Sequence, residues 1–227
     1  MKAPSSLKVV IVIGGLLWAV AVTTATRPAA AQPVCVPVYT GVDTSLYNWG
    51  IGDIFGEALG QTFLAQDTVI TRLRVWRYPN NRTVFGAHLW ITAVDTTRTP
   101  TRPIASQILL DGPTVYVYDS DPPGIPIEMA FVIDPPLHLP RPGVYAFFIQ
   151  EPNCNQGESW FMAVSNQNPY PHGDMWLTGR VSYPCHLRGV TAGGDPWDMI
   201  FDVEFCRPDV TTPTRRSTWG QLKILYR

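Results

Sequence analysis

Prolines are scattered along the whole chain, 22 of them in 227 residues, and together with 18 glycines they exclude most architectures before any motif is sought. Each proline lacks a backbone donor and its ring clashes with the preceding helical turn, so long helices cannot run through such a sequence. The prolines and glycines follow no Gly-X-Y period, which excludes a collagen-type helix. What remains is a series of short extended segments joined by turns. Hydrophobic residues make up 45% of the chain and charged residues only 15%, so these segments can bury a core.

Two segments carry the alternation of a half-buried strand. In residues 69–78, Leu73 and Val75 fall on one face and Arg72, Arg74, Trp76 and Tyr78 on the other; in residues 84–94, Ala87, Leu89, Ile91 and Ala93 oppose His88, Trp90, Thr92 and Val94. Asn80-Asn81 marks a turn between them, so the two are expected to form a hairpin with Trp76 and Trp90 close together on its outward face. Further strands are predicted over 104–110, 114–118, 127–133, 144–150, 159–164 and 199–205, each bounded by Pro, Gly, Asn or Asp. In the last of these Met199, Phe201, Val203 and Phe205 should face inward, and Asp202 and Glu204 should face water. Many short strands without intervening amphipathic helices predict an all-β fold, a two-sheet antiparallel sandwich of jelly-roll type.

The first 31 residues read as a signal peptide. Lys2 and Lys8 form a positive start, residues 9–22 carry no charge, and Pro28-Ala29-Ala30-Ala31 supplies small residues for cleavage after Ala31. Fourteen helical residues span only about 21 Å, short of a hydrocarbon core of about 30 Å, and no later segment is long enough to span one. The domain is expected over 32–207, with a linker and short C-terminal tail over 208–227. Residues 1–31 contain three basic residues and no acids, which leaves 14 basic against 18 acidic residues in the processed chain. That sign excludes a nucleic-acid binder. All four cysteines, Cys35, Cys154, Cys185 and Cys206, follow the signal, and an even number in an exported chain implies disulfides. Three connectivities exist; a nested pairing of Cys35 with Cys206 and Cys154 with Cys185 would tie the domain ends and clip one excursion. No two cysteines have the close spacing of a zinc site.

Several short runs carry a resemblance. Gly60-Gln61-Thr62-Phe63, Pro135-Pro136-Leu137-His138-Leu139-Pro140-Arg141-Pro142-Gly143-Val144-Tyr145, Pro169-Tyr170-Pro171-His172-Gly173 and Asp198-Met199-Ile200-Phe201-Asp202-Val203 resemble secreted bacterial jelly-roll modules, similar in shape to carbohydrate-binding modules. The resemblance implies an extracellular or surface-displayed, non-enzymatic domain. The ending around Trp219-Gly220 resembles Trp-Gly endings of some exported bacterial proteins, which implies a sorting or attachment tail.

Two constellations point to chemistry. Arg72, Arg74, Trp76, Tyr78, His88 and Trp90 form a row in which flat rings would stack on sugar rings and guanidinium groups would donate to hydroxyls or carboxylates. Asp174, Asp195 and Asp198, with Asp202 and Glu204 nearby in sequence, are candidate calcium ligands, although their spacing is not that of an EF-hand loop. Catalysis is the secondary expectation, because the chain has no Gly-X-Ser-X-Gly and no HEXXH motif, and its four histidines are scattered singly. The expected function is therefore a secreted, non-catalytic sandwich that binds a polysaccharide or cell-surface component, or that serves as surface structure. A hydrolase using paired carboxylates and a purely structural exoprotein are the alternatives.

Overall fold

The computed structural model describes residues 35–52, 57–78, 84–118, 125–154, 161–182, 184–195 and 197–208. The expected signal peptide and residues 209–227 of the expected tail lie outside the described residues. The chain runs β1 (Cys35–Gly41), a 3-10 turn (Thr44–Leu46), β2 (Trp49–Gly52), β3 (Ala58–Ala65), β4 (Val69–Arg77), β5 (Val84–Asp95), β6 (Arg102–Tyr118), β7 (Ile127–His138), β8 (Gly143–Gln150), β9 (Phe161–Ser165), β10 (Met175–Thr178), β11 (Val190–Asp195), β12 (Asp198–Met199) and β13 (Phe201–Pro208). Among the described residues no helix is long and apolar enough to cross a membrane.

All strand pairs are antiparallel, and they form two sheets. The first contains the order β1-β13-β4-β7, with β9, β12 and β2 extending it from the end of β4; the second runs β11-β10-β3-β8-β5-β6. From β3 to β8, consecutive strands enter the two sheets in the order of a jelly roll, and the terminal strands β1 and β13 lie side by side. The expected all-β sandwich is thus observed. Its core follows from the alternation: Leu73 and Val75 of β4, Phe131 of β7, and Phe201, Val203 and Phe205 of β13 meet Leu59 and Phe63 of β3, Leu89 and Ile91 of β5, and Phe147 and Ile149 of β8. Burying each such side chain contributes roughly 1.5 to 3 kcal/mol.

The expected hairpin of β4 and β5 is not formed. The pairing partners of β4 are β13, β7 and, at Arg77, β9, whereas β5 pairs with β6 and β8, so Trp76 and Trp90 belong to different sheets. The reason is that period-two alternation states only that one face is buried. It reads the same for neighbours in one sheet and for strands facing each other across a core. The segments predicted over 104–110 and 114–118 are one long strand, β6, because Asp111-Gly112-Pro113 is absorbed by a register shift against His88 and Trp90 rather than making a turn. Unpredicted β1 contains Pro37, which is tolerated because β1 lies at the edge of its sheet.

Both nested disulfides are present. Cys35 and Cys206 join β1 to β13 with Cα atoms 5.1 Å apart, and Cys154 and Cys185 clip the excursion after β8 at 5.6 Å. The segment that follows Cys185 covers the outer face of the second sheet, where Leu187 and Val190 close over Trp90, Phe148 and Trp176 in a second, smaller core.

One polar network is buried between the sheets. Gln61 of β3 donates from Nε2 to Asp198 Oδ1 at 2.8 Å and accepts the Met199 N–H at 3.0 Å, while the Tyr170 N–H donates to Asp198 Oδ2 at 2.8 Å. The Tyr170 hydroxyl in turn accepts the Leu64 N–H at 2.9 Å and hydrogen-bonds Thr40 Oγ1 at 3.0 Å. Burial pushes the Asp198 carboxyl up to about 6, against the two hydrogen bonds that favour its ionised form.

Two outcomes are expected. In the chain-entropy account, removing Cys35–Cys206 costs about 5 kcal/mol and removing Cys154–Cys185 about 4 kcal/mol. The second loss should also shift tryptophan fluorescence to the red in still-folded protein, by loosening the cover over Trp90 and Trp176; an unshifted spectrum in a folded Cys154→Ser/Cys185→Ser variant would contradict that cover. For Asp198, the raised folded-state value means that its contribution to stability is complete below the ordinary carboxyl range and is lost as pH rises through about 6. Thermal melts should therefore fall between about pH 4 and pH 6.5 and level off above that. Asp198→Asn should be less stable at pH 4, through one lost acceptor, and should show a smaller fall.

A candidate binding concavity on the first sheet

The outward phase of β4 faces the outward phase of β13. Register sets Arg74 opposite Asp202 and Arg72 opposite Glu204, so opposite charges meet directly across the strand pair. Arg74 Nη2 donates to Asp202 Oδ2 at 2.6 Å, Arg74 Nη1 lies 3.8 Å from Glu128, and Arg72 Nη1 lies 3.7 Å from Glu204. Glu204 also accepts from Thr71 Oγ1 at 2.7 Å and from the Tyr39 hydroxyl at 3.3 Å. The Arg74 guanidinium stands 5.7 Å from the centre of the Trp76 ring.

This ladder ends in a concavity of about 330 Å³ whose lining includes Tyr39, Asp43, Arg74, Trp76 and Asp202. Its depth comes from Gly41. A Cβ at this position would strike the Phe201 carbonyl oxygen, so glycine lets β1 close on β13 and presents no side chain to the face. Beyond Gly41, Asp43 caps the 3-10 turn by accepting the Ser45 N–H at 2.7 Å, and that hydrogen bond lowers its carboxyl from the usual value. Tyr39 is 51% exposed. Thr40, also in the lining, is held from behind by the Tyr170 hydroxyl.

Of the six predicted binding residues, Arg72, Arg74 and Trp76 share this face. Tyr78 is drawn aside: its ring packs edge-to-face on Tyr47 at 5.8 Å and against the bare backbone of Gly50. His88 and Trp90 lie on the opposite sheet. Trp90 is only 7% exposed and donates from Nε1 to Gln150 Oε1 at 3.2 Å, so it is a core residue of the covered face. The His88 ring packs edge-on to Trp90 at 4.6 Å and bridges Thr114 and Asp111, each at 2.8 Å, across the bulge of β6. Sequence reasoning missed Tyr39, Gly41, Asp43 and Glu128. For the first three the available signal was Gly41 followed by Asp43-Thr44-Ser45, an N-cap pattern closing a short extended run.

Of the three predicted metal ligands, Asp198 has both carboxylate oxygens engaged by Gln61 and Tyr170. Asp174 is partly buried, which raises its carboxyl, and its N–H donates to Thr62 Oγ1 at 2.7 Å. The Asp195 side chain lies outside the described residues. Among the described residues no group of three or more His, Cys, Asp or Glu is placed to hold a metal ion.

No known protein family and no curated protein matches the sequence. Among solved structures, a chain from "Structure of infectious bursal disease virus Gx strain" aligns over 85% of this chain at 11% identity with a TM-score of 0.13, a likeness too slight to carry an argument. This chain spans 46% of the length of that viral chain.

Proposed function

We propose that the protein is a secreted or surface-displayed, non-catalytic β-sandwich that binds carbohydrate in the concavity between Tyr39 and Trp76. The observation that carries this reading is the pair of aromatic residues flanking an Arg74–Asp202 ion pair on an open sheet face. Rings supply flat apolar surface for a sugar ring, and the charged pair supplies donors and acceptors for hydroxyls. Export is supported by the charge and apolar pattern of residues 1–31, and the two disulfides are compatible with an oxidising compartment. One observation favours the structural-exoprotein alternative: the Arg and acid groups of this face already satisfy one another, as on a solvated sheet surface.

The two tryptophans separate these readings. Trp76→Ala should abolish retention on immobilised neutral glucan in affinity electrophoresis with a modest loss of stability. Trp90→Ala should destabilise by about 3 to 5 kcal/mol, as for a core aromatic, with retention intact in the folded fraction. Retention of Trp76→Ala equal to that of the unaltered protein would remove the concavity from any sugar-binding role.

A further inference from the structure

The charges around the concavity do not balance. Asp43 and Asp202 line it together with Arg74, and the adjoining ladder adds Glu128, Glu204 and Arg72, so four carboxylates surround two guanidinium groups. Neither guanidinium is free to greet an anion. Arg74 is held by Asp202 at 2.6 Å and by Glu128 at 3.8 Å, and Arg72 by Glu204 at 3.7 Å. An incoming carboxylate would have to take Arg74 from Asp202, breaking a charge-assisted hydrogen bond and leaving a half-buried carboxylate unpaired. Asp202 already has one oxygen, Oδ1, that is shielded from solvent and without a donor among the described residues. An ammonium group would displace nothing. Asp43 is an exposed carboxylate whose hydrogen bonds come from the backbone and side chain of Ser45 in the 3-10 turn rather than from a guanidinium, and the exposed Tyr39 ring offers a face that attracts cations, as the Trp76 ring already does for Arg74.

We propose that the concavity selects amino sugars, seating a protonated amine beside Asp43 between Tyr39 and Trp76, and that it turns away uronic acids. This rests on the carbohydrate reading above and adds the charge of the ligand to it. The contrast is between sugars of similar size, because stacking on the rings is available to all of them and only the charged substituent differs.

Titration calorimetry of the full chain with three hexamers tests the selectivity: glucosamine with its amines protonated, cellohexaose, and galacturonate. At low ionic strength the glucosamine hexamer should bind at least tenfold tighter than cellohexaose, and galacturonate most weakly. In 1 M salt, where screening acts over about 3 Å, the advantage of glucosamine over cellohexaose should shrink. Asp43→Asn, which keeps the capping acceptor, should reduce the same ratio several-fold, and Trp76→Ala should abolish binding of all three. Cellohexaose or galacturonate binding as tightly as glucosamine overturns the charge selectivity while leaving the carbohydrate reading in place. An unchanged ratio in folded Asp43→Asn also overturns it. Binding of none of the three overturns both.

Discussion

A single buried carboxylate, Asp198, sets the phase of the strand that builds the outer face. Gln61 reaches it from the second sheet, Tyr170 from the excursion, and the Met199 N–H returns to Gln61, so a two-residue strand is fixed between the layers. The next residue, Ile200, donates to the Ala163 carbonyl and accepts the Trp76 N–H, which moves the chain from beside β9 to beside β4. From there the alternation is determined: Phe201, Val203 and Phe205 enter the core, and Asp202 and Glu204 emerge opposite Arg74 and Arg72. A shift of one residue at Asp198 would send every one of these side chains to the wrong face. A polar group in an apolar interior is costly unless fully partnered, and here the two partners, Gln61 and Tyr170, come from distant parts of the chain.

The same logic explains where sequence reasoning succeeds. The Arg72–Trp76 stretch of β4 and the inward set of β13 are legible because each alternates apolar and polar residues, and β8 is legible as a nearly continuous apolar run, buried on both faces once the segment around Leu187 and Val190 closes over Phe148. Which strands become neighbours is not legible, because jelly-roll pairing joins segments such as β1 and β13 that are distant in sequence and carry no local mark of one another. The nested cysteines are the exception. Cys35 and Cys206 mark the two strands that meet, and their spacing at either end of the domain records the topology.

The candidate site is legible by half for a related reason. Arg72, Arg74 and Trp76 stand out as an unusual outward phase within one strand, whereas Tyr39, Gly41 and Asp43 gain meaning only when β1 is laid against β13. Trp90 shows the converse. Its position in the alternation matches an exposed ring, but a segment nearly one hundred residues later, around Leu187 and Val190, covers it. Period-two patterns describe one sheet and its core. They contain no information about a third layer laid over the outside.

The pairing of the first and last strands also decides how the domain carries force. β1 begins and β13 ends at the same corner of the first sheet, in antiparallel register from Cys35 opposite Pro208 to Gly41 opposite Asp202. Tension applied to the chain at these two points would ordinarily peel the strands apart one hydrogen bond at a time, the weakest geometry for a sheet under load. The covalent link between Cys35 and Cys206 sits at that corner, so the pull passes from β1 to β13 through sulfur and the sandwich behind it stays slack.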